Sequence, residues 1–236
     1  MKRYLPFVII TVVFLLAASG GTFLLLSKQR AMKAEATKET AKVAEKVAAQ
    51  TVKPGAEPPH VRGSSKANVT LEEFGDFECT PCGMLSPVLE QLEKDYGERL
   101  RVIFREFPLA MHKHALDAAR AAEAAGLQGR FWEMHDMLYH NRFIWPASSD
   151  VRANFNAYAE ALKLDVERFK RDFAGEQVNA RINADKERAA SLGVDRTPVL
   201  FINDHQLPVT AFNPKGLHEA IDAAANPAPA APKPKG

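Results

Sequence analysis

The sequence predicts one α/β domain whose sheet is interrupted by a helical block. Three observations predict it. A strand, a helix and a second strand follow one another within residues 68–107. Helical periodicity alone then runs from His114 to Ser191, too long a stretch for a loop. Strand character returns at Pro198 and is followed by a last helix.

The first strand is read from Asn68-Val69-Thr70-Leu71-Glu72-Glu73-Phe74, which ends in a turn at Gly75-Asp76. Met84, Leu85, Val88, Leu89, Leu92 and Tyr96 recur at helical spacing, so Pro81 to Tyr96 is an amphipathic helix. Leu100 to Phe107 alternates as a strand, and the βαβ order implies a parallel pair with a right-handed crossover. The helical block divides into His114–Ala125, Arg130–Asn141, Asp150–Leu162, Val166–Phe173 and Glu176–Ser191. Pro198 to Ile202 and Gln206 to Val209 read as a hairpin turning at Asn203-Asp204, and Pro214 to Ala224 as the closing helix. Residues 61–225 form this domain, with the helical insertion at about 112–190.

The ends read differently. Tyr4 to Leu26 carries no charge and, at about 1.5 Å per residue, is long enough for a helix to cross a bilayer. Residues 1–26 are read as a signal anchor rather than a cleaved signal peptide. Phe23-Leu24-Leu25-Leu26 carries the apolar run past Ala17, Ala18, Ser19 and Gly20, where cleavage would fall. Residues 27–60 form an Ala/Lys/Glu-rich spacer and a Pro-rich linker, and 226–236 a disordered Pro/Ala-rich tail. Lys28, Arg30, Lys33 and Lys38 outnumber Lys2 and Arg3, so a literal charge count puts the domain in the cytoplasm. That count weakens for long translocated domains, and the cysteine chemistry below favours the extracytoplasmic, periplasmic side.

Composition narrows the function. A chain with 46% hydrophobic and 25% charged residues is neither wholly disordered nor a polytopic membrane protein. A net charge of +2 gives no reason to expect nucleic acid as a partner. Two cysteines exclude a disulfide-dense scaffold.

Both cysteines lie in Cys79-Thr80-Pro81-Cys82, between the first strand and the first helix. A structural staple across so short a loop would contribute at most about 2 kcal/mol. A metal site would want two more ligands, and His112-Lys113-His114 lacks the usual spacing. Redox chemistry needs only the residues present. Cys79 falls at the helix start, where unpaired N–H groups and the dipole favour a thiolate, and Cys82 lies one turn deeper as a resolving thiol. Pro81 loses no hydrogen bond in a first helical turn.

At this point the chain resembles the thioredoxin superfamily, in its DsbA-like branch with a helical insertion. The resemblance spans about Val69 to Ala224 and rests on the motif from Cys79 to Pro87, on Thr197-Pro198 before a strand, and on the stretch His114 to Asn141. It implies a thioredoxin-like fold with an inserted helical subdomain. It implies further that Glu73 is a buried carboxylate that helps move the proton of the resolving thiol. Pro198 would be a cis-proline facing the cysteines, with the backbone at Thr197 and Pro198 binding substrate and Thr197 tuning the potential. Arg196 departs from the glycine the family often has there.

The function expected is a thiol–disulfide oxidoreductase, forming disulfides in exported proteins through Cys79–Cys82 with no separate cofactor. Its partners would be exported proteins with free or mispaired cysteines, a membrane partner that re-oxidises or reduces the pair, and the membrane itself through residues 4–26. Isomerase or reductase activity on the same fold, and a cysteine-based metallochaperone, remain alternatives. His112, His114, His135 and His140 are weaker proton-shuttle candidates, read as surface or satisfied helix residues. Phe131, Trp132, Phe143 and Trp145 are read as core rather than as a substrate groove.

Overall fold

The computed structural model describes residues 52–226, and the predicted anchor, most of the spacer and the tail beyond Asn226 lie outside them. Among the described residues no helix is long and apolar enough to cross a membrane. A five-stranded mixed sheet has the order β1-β3-β2-β4-β5. Its strands are β1 (His60–Gly63), β2 (Val69–Gly75), β3 (Leu100–Glu106), β4 (Val199–Ile202) and β5 (His205–Gln206). Helix α1 (Thr80–Tyr96) joins β2 to β3, which pair in parallel as the βαβ reading requires. The other neighbours are antiparallel.

Five helices make up the insertion: α2 (Ala115–Gly126), α3 (Phe131–His140), α4 (Val151–Ala161), α5 (Val166–Asp172) and α6 (Glu176–Ser191). Helix α7 (Pro214–Ala225) closes the domain. Asp150, Asp165 and Asn213 cap α4, α5 and α7 by accepting backbone N–H groups of the first turn.

Side-chain alternation along β2 and β3 divides the core. Val69, Leu71, Leu100 and Val102 face Leu85, Leu89 and Leu92 of α1 and Leu217 and Ile221 of α7. On the other face Phe74, Val199 and Phe201 pack against Ala189 of α6 and Val194. The insertion has its own core, in which Ala118, Ala121, Ala122 and Ala125 of α2 let neighbouring helices approach Phe131, Met134, Trp145, Phe155 and Phe169. Phe131 and Trp145 are core as expected, Trp132 is partly buried, and Phe143 is 80% exposed.

Two elements differ from the expectation. The second hairpin strand stops at Gln206, and Val209–Ala211 is a 3₁₀ turn, because Pro208 precedes it and has no N–H for a ladder. Strand β1 was not expected, and the structured chain begins before residue 61. Ala56 is buried; its N–H donates to Asp185 Oδ1 at 2.8 Å, and its carbonyl accepts from Arg105 at 3.0 Å. The last linker residues are therefore part of the fold. They are anchored through a buried charge network in which Arg105 bonds Glu72 and Asp185 while Arg188 holds the other oxygen of Glu72.

Candidate active site

Strand β2 delivers the chain to the N-terminus of α1. Cys79 is the helix N-cap in extended conformation, and its N–H donates to the Asp76 carbonyl at 3.1 Å. Thr80 and Pro81 form the first helical turn and Cys82 follows. Pro81 has no N–H, so the Cys82 N–H is the donor left to meet the Cys79 sulfur.

Both cysteines are free, and they are unequal. Cys79 is 4% exposed and Cys82 not at all, so only Cys79 can be reached from outside. The Cys79 thiol is pulled down to about 6, chiefly because the Cys82 thiol donates a hydrogen bond to its sulfur. Burial opposes this shift, while the Thr197 side chain and the Cys82 N–H reinforce it. Burial pushes the Cys82 thiol well above its ordinary value, with the Cys79 bond and the charge of Glu73 adding to the effect. This is the electrostatic division between an attacking thiolate and a thiol held in reserve.

The sequence-predicted residues converge here. Glu73 is buried on the face of β2 that lies under α1, and its Oε1 has no hydrogen-bond partner. Burial raises its carboxyl to about 8, with the negative charge of Cys79 contributing. Neighbouring Glu72, on the opposite face, is paired with Arg105 and Arg188. The Thr197–Pro198 peptide is cis, and the Thr197 carbonyl lies 3.6 Å from Cys79 Sγ, within reach of the thiol proton. Beside them runs a groove of about 500 Å³, lined by Pro81, Met84, Val88, Pro198, Val209 and Phe212, with Arg196 at one side. Met84 and Val209 are 68% and 66% exposed, which makes the groove an open apolar surface.

Several further residues surround the cysteines, some of them with little or no signal in the sequence. Asp76 is buried and accepts from the N–H groups of Glu78 and Leu109. Its Oδ2 also meets His112 Nδ1 at 2.8 Å. The His112 imidazole is thus bound into the cysteine loop; burial opposes its protonation, but the bond to Asp76 raises its pKa overall. His135 is buried among aromatic rings, and its pKa is lowered by burial. Tyr139 of α3 and Glu106 of β3 lie buried nearby without side-chain partners. Asp76 could have been weighed as a carboxylate three residues before a cysteine; the others arrive from separate elements.

The thioredoxin family model matches residues 55–223, which includes the buried segment before β1. Among solved structures, a thioredoxin-like oxidoreductase from Silicibacter pomeroyi DSS-3 is 28% identical with a TM-score of 0.60, over 71% of this chain and 93% of that one. BdbD from Bacillus subtilis is 22% identical with a TM-score of 0.60, over 72% and 97% of the two chains. The thiol-disulfide exchange protein alpha-DsbA2 from Wolbachia pipientis is 19% identical with a TM-score of 0.61, over 70% and 87%. A curated relative, Na(+)/H(+) antiporter NhaA 1 of Salinispora arenicola, is 40% identical over 167 residues, yet the match spans 70% of this chain and 24% of that protein. The same name in Mycolicibacterium gilvum is 39% identical over 149 residues, 61% of this chain and 23% of that protein. The family match across the described domain, the sheet with its helical insertion and the cysteine pair at the helix start agree: the chain belongs to the thioredoxin family.

Proposed function

We propose that the chain is an extracytoplasmic thiol–disulfide oxidoreductase working as a dithiol oxidase on exported proteins. The observation that carries this reading is the inequality of the two sulfurs: Cys79 drawn down to about 6 at the protein's edge, Cys82 buried and pushed up. A low-pKa thiolate is a good leaving group, and its stability favours the reduced protein, which makes the disulfide oxidising.

In the cycle a substrate thiolate attacks Cys79 Sγ of the Cys79–Cys82 disulfide, and Cys82 leaves as a thiolate that takes up a proton. Glu73, holding its proton up to about 8, is the group placed to supply it. A second substrate thiolate then attacks the substrate sulfur of the mixed disulfide and releases Cys79. Two electrons stay on the protein, with no cofactor beyond the cysteines, until a membrane partner re-oxidises the pair. The apolar groove beside Thr197 and Pro198 suits an extended, unfolded segment of an exported chain. Disulfide formation belongs to an oxidising compartment, which supports the periplasmic placement and a tether through residues 4–26. Antiport is not carried over, because the matched region is under a quarter of the proteins that bear that name.

The test is dithiol oxidation with a reduced peptide. Cys79→Ser abolishes turnover, whereas Cys82→Ser accumulates a mixed disulfide between Cys79 and substrate. Turnover that survives Cys82→Ser contradicts the assigned roles.

A further inference from the structure

Beneath the cysteines lie four buried polar atoms without a hydrogen-bond partner: Glu73 Oε1, the Tyr139 hydroxyl and both carboxyl oxygens of Glu106. Leaving such groups unpaired is costly, so their gathering in one place calls for a role. The parallel ladder brings them together. Glu73 stands opposite Phe104 and Gly75 opposite Glu106, and alternation puts Glu73, Gly75, Phe104 and Glu106 on one face. Gly75 leaves a gap between the two acids. Tyr139 fills it: a Cβ on Gly75 would lie 3.0 Å from the Tyr139 hydroxyl. Phe77 and His135, with ring centroids each 4.9 Å from that of Tyr139, fix the ring in place.

The groups that face this pocket come from every side. Cys82 and Asp76 approach Tyr139 from the active-site loop and helix. Glu123 of α2 and Asp185 and Arg181 of α6 approach Glu106, whose N–H also donates to Asp185 Oδ2 at 3.1 Å. Burial, reinforced by Glu123, Asp185 and Asp76, pushes the Glu106 carboxyl well above its ordinary range, so like Glu73 it holds its proton more tightly than a free carboxyl does. A tyrosine hydroxyl accepts and donates at once, as a relay between two acids requires. Glu123 in turn bonds the partly exposed His60 at 3.0 Å, a way out to solvent.

We propose that Tyr139 and Glu106 are positioning residues that form, with Glu73, a buried proton relay serving Cys82. The inference rests on the exchange chemistry proposed above. When the disulfide opens, Cys82 leaves with the electron pair and takes the proton of Glu73. Tyr139 gives its proton to the Glu73 carboxylate and takes the proton of Glu106. The negative charge thus passes to Glu106, where Arg181 offsets only part of the opposition from burial, Glu123, Asp185 and Asp76, until a proton drawn in from solvent restores the acid.

The test follows mixed-disulfide formation when the oxidised full chain meets a small monothiol. Acid quenching and mass spectrometry count the product across the neutral and alkaline range, for wild type, Tyr139→Phe and Glu106→Gln. Each variant is expected to slow the step about tenfold, below the roughly 10²–10⁴-fold of a direct proton donor. Each also moves upward the inflection that Glu73 sets, while in the separately titrated reduced chain the Cys79 thiolate still titrates at about 6. A structural role alone would lower stability and leave that inflection unmoved. Tyr139→Phe removes only an unpartnered oxygen, so it carries the test even if Glu106→Gln fails to fold. Profiles that superimpose on wild type overturn the relay alone. A wild-type chain that forms no mixed disulfide overturns the exchange reading, and the relay with it.

Discussion

Cys79 and Glu73 show how one buried site sets two protonation states apart. The sulfur gains a donor from Cys82 and titrates low; the carboxyl gains none for Oε1 and titrates high. The second shift has a consequence for stability. Below the ordinary carboxylate range both folded and unfolded chains keep the Glu73 proton. As pH rises the unfolded chain loses it first, so stability falls until the folded group titrates at about 8. Glu73→Gln has no charge to bury. In denaturant unfolding of the reduced protein it should be more stable than wild type at about pH 7, by on the order of 2–3 kcal/mol, and level with it near pH 4. The gain in stability should come with slower exchange, as a site residue kept for chemistry would give. Of these residues, the cysteines were legible from spacing alone. Glu73 stood out only through resemblance, since by itself Glu72-Glu73 reads as an exposed acidic pair.

At the scale of elements, the site depends on how closely β2, β3 and α3 approach. A Cβ on Gly75 would lie 2.4 Å from the buried Phe104 ring as well as against Tyr139, and the ring has nowhere to retreat. Gly75→Ala should therefore destabilise the fold by about 1–3 kcal/mol, the usual range for overpacking a core. Its unfolding midpoint against wild type checks this; an unchanged midpoint would mean that the three elements are not so tightly joined. The helices and central strands were legible because their periodicity is local. Strand β1 was not. Val61 is its only β-branched residue and prolines precede it, so it exists through its register with Phe104 and Val102 of β3. Tyr139 and Glu106 carry no signal, and His112 reads only as a weak candidate, for the same reason: their meaning lies in contacts between elements distant in sequence.

For the whole domain, the buried chain starts earlier than composition suggests. Proline and glycine at residues 54–59 read as a linker, yet Ala56 closes the charge network of Arg105 and Asp185. Removing one partner from such a buried network is costly, which ties this segment to the fold. With both cysteines free, stability rests on three packed cores rather than on a covalent staple. The sulfur pair is thus available to change oxidation state while the frame stays intact. That frame holds Cys79 at the N-cap of α1, where the Cys82 thiol and the Cys82 N–H donate to its sulfur, and so biases the pair towards its reduced form.

The reduction potential of Cys79–Cys82, measured by equilibration with glutathione, tests this bias most directly. With Cys79 titrating at about 6, roughly one unit below the thioredoxin thiol, the pair should lie above the roughly −270 mV of thioredoxin by about 30 mV, in the direction of an oxidant. A potential at or below about −270 mV would contradict the account and make the protein a reductant.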